Sequence, residues 1–349
     1  MPMLEKISGL LLIGLIGAFG VTSAINSDWS SATQAPFKDG ETQNQLETEY
    51  TNAFPFKDAS ISLIRAFEYL LFGQGTQNVV VGKNGWLFSA EEFQIPADYE
   101  ERLHTKFGQI VDYTRKVEAH DVAVIIALIP DKARIMADQL SVARPGVLDG
   151  RYEATLAALS ADGIAFTDLR PALHQARQGG QAYMKTDTHW SPAGASAAAQ
   201  VLAPAIREKA TQSIDFQSHS ADETTEINGD LVKFVATPPL VYWSGPKPEE
   251  ILILEVTQDG SDLGLFGDAP EPEGRLVGTS FSAIEHWGFL SALKLSSGVD
   301  ILNLAQMGQG PFAPMNAFIA ELETTENKPS LVIWEIPERY LTIDPKEQP

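Results

Sequence analysis

The sequence predicts an α/β fold, a mostly parallel sheet flanked on both faces by helices, and three observations carry that expectation. Continuous apolar runs of strand length, such as Val122–Ile129, have the composition of strands buried on both sides. Segments with helical apolar spacing alternate with such runs, the order that builds parallel strands joined by crossover helices. A length of 349 residues, 44% of them apolar, supplies a large core, so one big domain or one with a small appendage is expected and a disordered chain is excluded.

The elements follow in chain order. After Lys6 the chain runs from Ile7 to Ile25 without a charge, and Asp28 is the next ionisable residue. That approaches the ~20 residues a bilayer-crossing helix needs. Residues 1–25 are therefore expected to be a signal anchor, an N-terminal membrane-anchor helix with everything after it outside the cytoplasmic membrane, which implies a periplasmic body tethered to the inner membrane. The alternative is a cleaved signal peptide, for which Thr22, Ser23 and Ala24 suit a peptidase. Residues 26–45 read as a polar stem, and residues 46–349 as the domain itself. Leu46–Leu71 suggests two helices interrupted at Phe54-Pro55, and Val79–Phe88 a β-hairpin turning at Asn84-Gly85.

A helix over Tyr99–His120 is expected to precede the strand Val122–Ile129. Gly163–Leu169 then reads as a strand, Ser191 onward as a helix and Arg275–Thr279 as a short strand. Ile284–Leu295 is expected as a helix, Asp300–Leu304 as a strand, Pro314–Leu322 as a helix and Leu331–Ile336 as the last strand. Residues 234–274 break this rhythm with Pro238-Pro239, Pro246, Pro248 and Pro270, and are expected to be a loop-rich insertion. No internal repeat is evident.

Charge and cysteine usage narrow the function. The formal charge of -21 repels nucleic-acid phosphates, so nucleic-acid binding is set aside. With no cysteine there is neither a structural disulfide nor a thiol nucleophile. Two segments can carry chemistry. In Lys185-Thr186-Asp187-Thr188-His189-Trp190-Ser191-Pro192, an extended chain places Asp187 and His189 on one side, where a carboxylate can fix the tautomer of an imidazole base. Ser191 suits an N-cap and Pro192 the first helical position, so His189 falls at a junction leading into a helix, with Pro204 kinking or ending it. Taken alone, Asp-x-His also fits a pair of polar residues capping a loop.

The second segment is Arg275–Ser282, a strand running into Gly278-Thr279-Ser280 and then a helix. A serine there sits at the carboxyl edge of the sheet, and with His189 as base it becomes a nucleophile. Local sequence alone reads equally as an N-cap serine. Gly308 and Gly310 can present N–H groups to an oxyanion or form a plain turn, and Glu335 and Arg339 can orient substrate or form an ion pair. Lys132 and Arg134 can meet sugar carboxylates or stand on a solvated loop. His104, His120, His174, His219 and His286 have no ligand spacing with His189, so no metal is expected, and no nucleotide cofactor is implied.

Several separated motifs, in order, make this chain resemble the alginate O-acetyltransferase family with an SGNH-hydrolase-like domain, the AlgJ and AlgX group, and AlgJ more closely. They are Phe54-Pro55, Gly82–Phe93 (GKNGWLFSAEEF), Pro130–Arg134, Thr186–Gly194 (TDTHWSPAG), Gly229–Leu231, Gly278–Ser282 (GTSFS) and Trp334–Tyr340 (WEIPERY). The resemblance implies a flavodoxin-like parallel sheet, circularly permuted relative to ordinary SGNH hydrolases, with Ser280, His189 and Asp187 as catalytic triad. It implies acetyl transfer through an acyl-enzyme to hydroxyls of an exopolysaccharide, alginate or a similar polymer. It also implies a membrane-bound O-acyltransferase supplying acetyl, alongside other acetylation and export proteins. Ending nine residues past Tyr340, the chain is expected to lack the carbohydrate-binding module of AlgX-like members. A carbohydrate acetylesterase and a non-catalytic scaffold of an acetylation complex are the alternatives.

Overall fold

The computed structural model describes residues 17–30, 40–179, 181–220, 224–258 and 271–345. These fall into two compact units, one comprising the residues up to Phe72 together with Ala236–Gly245, the other running from Gly73 to Val235 and onward from Pro246.

In the first unit, residues 17–26 are helical and α1 (Glu41–Asn52) and α2 (Lys57–Phe72) follow. The break at Phe54-Pro55 is where it was expected. The first sixteen residues of the expected anchor, and residues 31–39 of the expected stem, lie outside the described residues. The anchor's described end docks on α1: Ser23 Oγ donates to Tyr50 O, and Phe19 meets the ring of Phe56 at 4.9 Å. Among the described residues no helix is long and apolar enough to cross a membrane. In α2 the buried positions are the small Ser62 and Ala66, while Leu63, Ile64, Phe67, Leu70 and Leu71 face outward. Ser62 Oγ bonds Thr237 O at 2.6 Å, beside a short helix, Val241–Ser244, whose Tyr242 and Trp243 are 86% and 88% exposed.

The second unit opens with the expected hairpin, β1 (Val79–Val81) against β2 (Leu87–Ser89). Its turn is one loop of 3₁₀ helix in which Asn84 and Gly85 both take positive φ, the conformation that residue pair tolerates best. Then come α3 (Tyr99–Glu118), β3 (Ala123–Ile129), α4 (Gly146–Ala161), α5 (Arg170–Gly179) and α6 (Pro192–Lys209). The strand expected over Gly163–Leu169 shrinks to one parallel bridge, Phe166 beside Ile126, because Leu169 leads at once into α5. Pro204 does not end α6, which runs on to Lys209. The loop-rich reading of 234–274 is corrected in part: β6 (Glu249–Ile251) and β7 (Leu254–Gln258) pair antiparallel with β5 (Thr225–Ile227) and β4 (Phe216–Ser220).

The sheet is completed by β8 (Gly274–Val277), β9 (Ile301–Asn303) and β10 (Leu331–Pro337), in the parallel order β3-β10-β8-β9. Between them lie α7 (Phe289–Ser297) and α8 (Phe312–Thr324). The helix expected over Ile284–Leu295 is divided, because Gly288 adopts a left-handed φ of 72° and only then does α7 begin. Strand parity builds two cores. Ile125, Ala127 and Ile129 of β3 join Leu331 and Ile333 of β10 under α5, α6 and α7, whereas Val124, Ile126 and Leu128 join Val332, Trp334 and Ile336 under α3, α4 and α8. Both faces are thus covered, as the uninterrupted apolar runs require. The strands all end at one edge, followed there by Pro130-Asp131, Gly278-Thr279-Ser280 and Glu338-Arg339.

Candidate active site

The His189 loop is a short hairpin rather than an extended strand. Met184 N–H donates to His189 O at 3.0 Å and Ser191 N–H to Ala182 O at 3.1 Å, closing its base. Ser191 then caps α6, its Oγ accepting from Gly194 N at 3.1 Å, with Pro192 at the first turn as the sequence predicts. Asp187 and His189 meet because the aspartate folds back on its own chain: Oδ1 accepts His189 N–H at 2.9 Å and lies 2.6 Å from His189 Nδ1. The expected proximity is present, but an Asx-type turn creates it, not strand alternation.

Three neighbours hold this hairpin. Lys132, 1% exposed, sends Nζ to Leu87 O, to Lys185 O at 3.1 Å and to Asp187 O at 2.9 Å. It is therefore neither a sugar-binding cation nor part of a solvated loop, and burial brings its ammonium down to about 8. Glu249 accepts Lys185 N and Thr186 N, each at 2.8 Å. Asp230 Oδ1 accepts Thr188 N at 2.8 Å, while its own N–H donates to Asp187 Oδ2 at 2.8 Å. Burial alone would raise the Asp187 carboxyl, but the bonds from His189 and the Asp230 N–H outweigh it and keep it below the usual carboxylate range.

Ser280 approaches from the other side. It opens a one-turn helix, Ser280–Ala283, where β8 leaves the sheet, and the preceding Thr279 caps that turn with Oγ1 accepting Phe281 N at 3.4 Å. Across 91 residues of chain, His189 Nε2 and Ser280 Oγ stand 2.7 Å apart. The ring is sandwiched by Phe281 at 4.7 Å and Trp287 at 5.6 Å, and Trp190 Nε1 donates to Phe281 O at 3.2 Å. Beneath the turn lies Glu335, wholly buried, whose carboxyl burial pushes up to about 7 against the opposing bonds from Thr279 and Ser282.

His189 and Ser280 open onto a cavity of about 360 Å³ that is also lined by Glu91, Asp230, Lys233, Gly308 and Arg339. Gly308, at φ 71°, is at this wall; Gly310 is not, being packed against Pro345, so of the two expected glycines only the first remains placed to meet an oxyanion. Arg339 is 5% exposed and Nε lies 3.0 Å from Glu91 Oε2, an ion pair whose N–H does not point along a hydrogen bond. Deeper still, Glu338 accepts from Arg134 at 2.7 and 2.9 Å, and Asp131 from Arg151 at 2.5 Å. Asp187, His189 and Asp230 bring ligand-type atoms within 4.8 Å of one another, but both Asp187 oxygens and Asp230 Oδ1 already accept N–H groups.

Residues 79–338 match the family model described as an SGNH hydrolase-like domain, acetyltransferase AlgX. Similar proteins include the probable alginate O-acetylase AlgJ of Pseudomonas aeruginosa, 34% identical across 97% of this chain and 92% of its own, and that of Pseudomonas fluorescens, 33% identical across 96% and 86%. Among solved structures, the O-acetyltransferase domain of Pseudomonas putida AlgJ superposes with a TM-score of 0.69 at 31% identity, covering 76% of this chain and 93% of that domain.

Proposed function

We propose that this chain, which belongs to the SGNH hydrolase-like acetyltransferase family of AlgX, is a polysaccharide O-acetyltransferase whose nucleophile is Ser280 and whose polymer is alginate. One observation carries the mechanism: the unbroken line from Asp187 through His189, 2.6 Å to its Nδ1, to Ser280, 2.7 Å from its Nε2, at the wall of a cavity. The names of the most similar proteins favour the polymer.

In the proposed cycle His189 Nε2 takes the Ser280 proton as Oγ attacks the carbonyl carbon of an acetyl donor. Asp187 stabilises the imidazolium that forms. Collapse of the tetrahedral adduct breaks the bond to the leaving group, which receives the proton from His189, and leaves acetyl on Ser280. A sugar hydroxyl then gives its proton to His189 and attacks the ester. Ser280 departs reprotonated and the acetylated sugar leaves. Asp187 and His189 precede Ser280 in the chain, the order expected of a circularly permuted SGNH fold.

The proposed setting is the periplasmic side of the inner membrane, with residues 1–25 as tether and a membrane-bound O-acyltransferase delivering acetyl from the far side. The uncharged run Ile7–Ile25 favours it, and so does the outward apolar face of α2 beside exposed Tyr242 and Trp243, a composition suited to the lipid interface. Full-length protein is expected to stay with membranes through an alkaline carbonate wash; recovery in the wash contradicts the tether. For the chemistry, intact-mass measurement after exposure to an activated acetyl ester is expected to reveal one acetyl group, mapped to Ser280 and missing in Ser280→Ala. An adduct that persists in that variant rules Ser280 out.

A further inference from the structure

Glu335 does a job that strand packing does not require. It follows Trp334, which pairs in register with Val277, so its side chain lies under the Gly278-Thr279-Ser280 turn. Oε2 accepts Thr279 N–H at 2.6 Å, both carboxyl oxygens lie 3.0 Å from Thr279 Oγ1, and Oε2 also accepts Ser282 Oγ–H at 3.1 Å. These donors bracket Ser280 in the chain. Gly278 makes the arrangement feasible, since a Cβ there would stand 2.4 Å from Glu335 Oε2, and its backbone has no left-handed φ to explain the glycine otherwise. An ionised carboxyl only accepts, so it can engage a backbone N–H and two hydroxyls at once, which no apolar residue and no amide could do.

We propose that Glu335 is the positioning residue of the nucleophile turn: it fastens Thr279 and Ser282 so that Ser280 Oγ stays on His189 Nε2, and residue 278 is glycine to admit it. The inference rests on the proposed role of Ser280. Glu335→Gln preserves volume but replaces one acceptor oxygen by an NH₂ donor, leaving part of the Thr279–Ser282 set without a partner. Gly278→Ala keeps the carboxyl but displaces it.

The test follows the rate of acetyl adduct formation on full-length protein by rapid quench and mass spectrometry. Glu335→Gln and Gly278→Ala are each expected to slow acylation at saturating ester by about a hundredfold, the scale of an ångström-sized misplacement, with the KM for the ester unchanged. Glu335→Ala leaves room for the added methyl, so combining it with Gly278→Ala is expected to cost nothing further. A folded Glu335→Gln that acylates at the parental rate, losses that fall in KM, or losses that multiply in the double variant overturn the proposal. Should Glu335→Gln fail to fold, parental acylation by Gly278→Ala overturns it equally. An unmodified parent protein removes the nucleophile assignment and this inference together, whereas an acetylated parent with indifferent variants removes this inference alone.

Discussion

At the scale of single residues, the side chains that meet are the ones whose partnership is local or chemically typical. Asp187 and His189 are two apart, and Ser280 follows a Gly-x motif at a strand end, so all three were legible. Lys132 and Glu335 were not read correctly, because their partners are carbonyls and amides more than forty residues away that no local pattern marks. Lys132→Met tests the first of these. The replacement keeps an apolar stem over Trp86 and Phe88, whose rings the ammonium overlies at 5.2 and 5.0 Å, but strips the donors from three buried carbonyls. Urea denaturation is expected to show a loss of about 2–4 kcal/mol, the cost of stranding such groups. A variant as stable as the parent would mean that Lys132 contributes no net clamp.

At the scale of elements, two close approaches decide whether the catalytic hairpin can form. A Cβ on Gly229 would fall 2.1 Å from Thr186 O, and one on Gly194 would fall 2.0 Å from Ala182 O. Both obstacles are backbone, which cannot swing aside as a side chain can. Gly229→Ala is expected to destabilise by about 1–3 kcal/mol, as overpacking does, and to lower acylation more than Tm because the strain falls on the loop carrying Asp187. Parental kinetics in that variant would show the loop to be slack. Element positions in the sheet were readable wherever apolar runs had strand length. What escaped was α4, the short ribbons within 216–258 and the interruption at Gly288, since none shows sustained apolar periodicity and each depends on the sheet already being in place.

For the molecule as a whole, buried carboxyls set the pH response. Burial, joined for Glu92 by the charge of Asp131, pushes Glu92 and Glu335 up to about 7 from 4.5. Between those values the folded protein retains protons that the unfolded chain has released, so stability falls as pH rises through the window. Glu338 is opposite: its burial is outweighed by Arg134, Arg151 and Arg144, which hold it at about 2, and the stability it lends is present above 4.5 and lost as pH falls toward 2. The growing repulsion of a chain already at -21 adds to the decline on the alkaline side. Melting temperature at constant ionic strength is expected to peak near pH 4.5 and to decrease toward pH 8, with a shallower slope in Glu335→Gln; a rise between pH 5 and 7.5 would refute the assignment. The fastening of the His189 hairpin by Lys132, Glu249 and Asp230 reaches further than stability. A base braced before any ligand arrives is in permanent readiness, and readiness does not discriminate. Whatever nucleophile reaches the acetylated serine first takes the cargo, so a cell supplying donor while synthesising no polymer is expected to leak acetate in idle turnover.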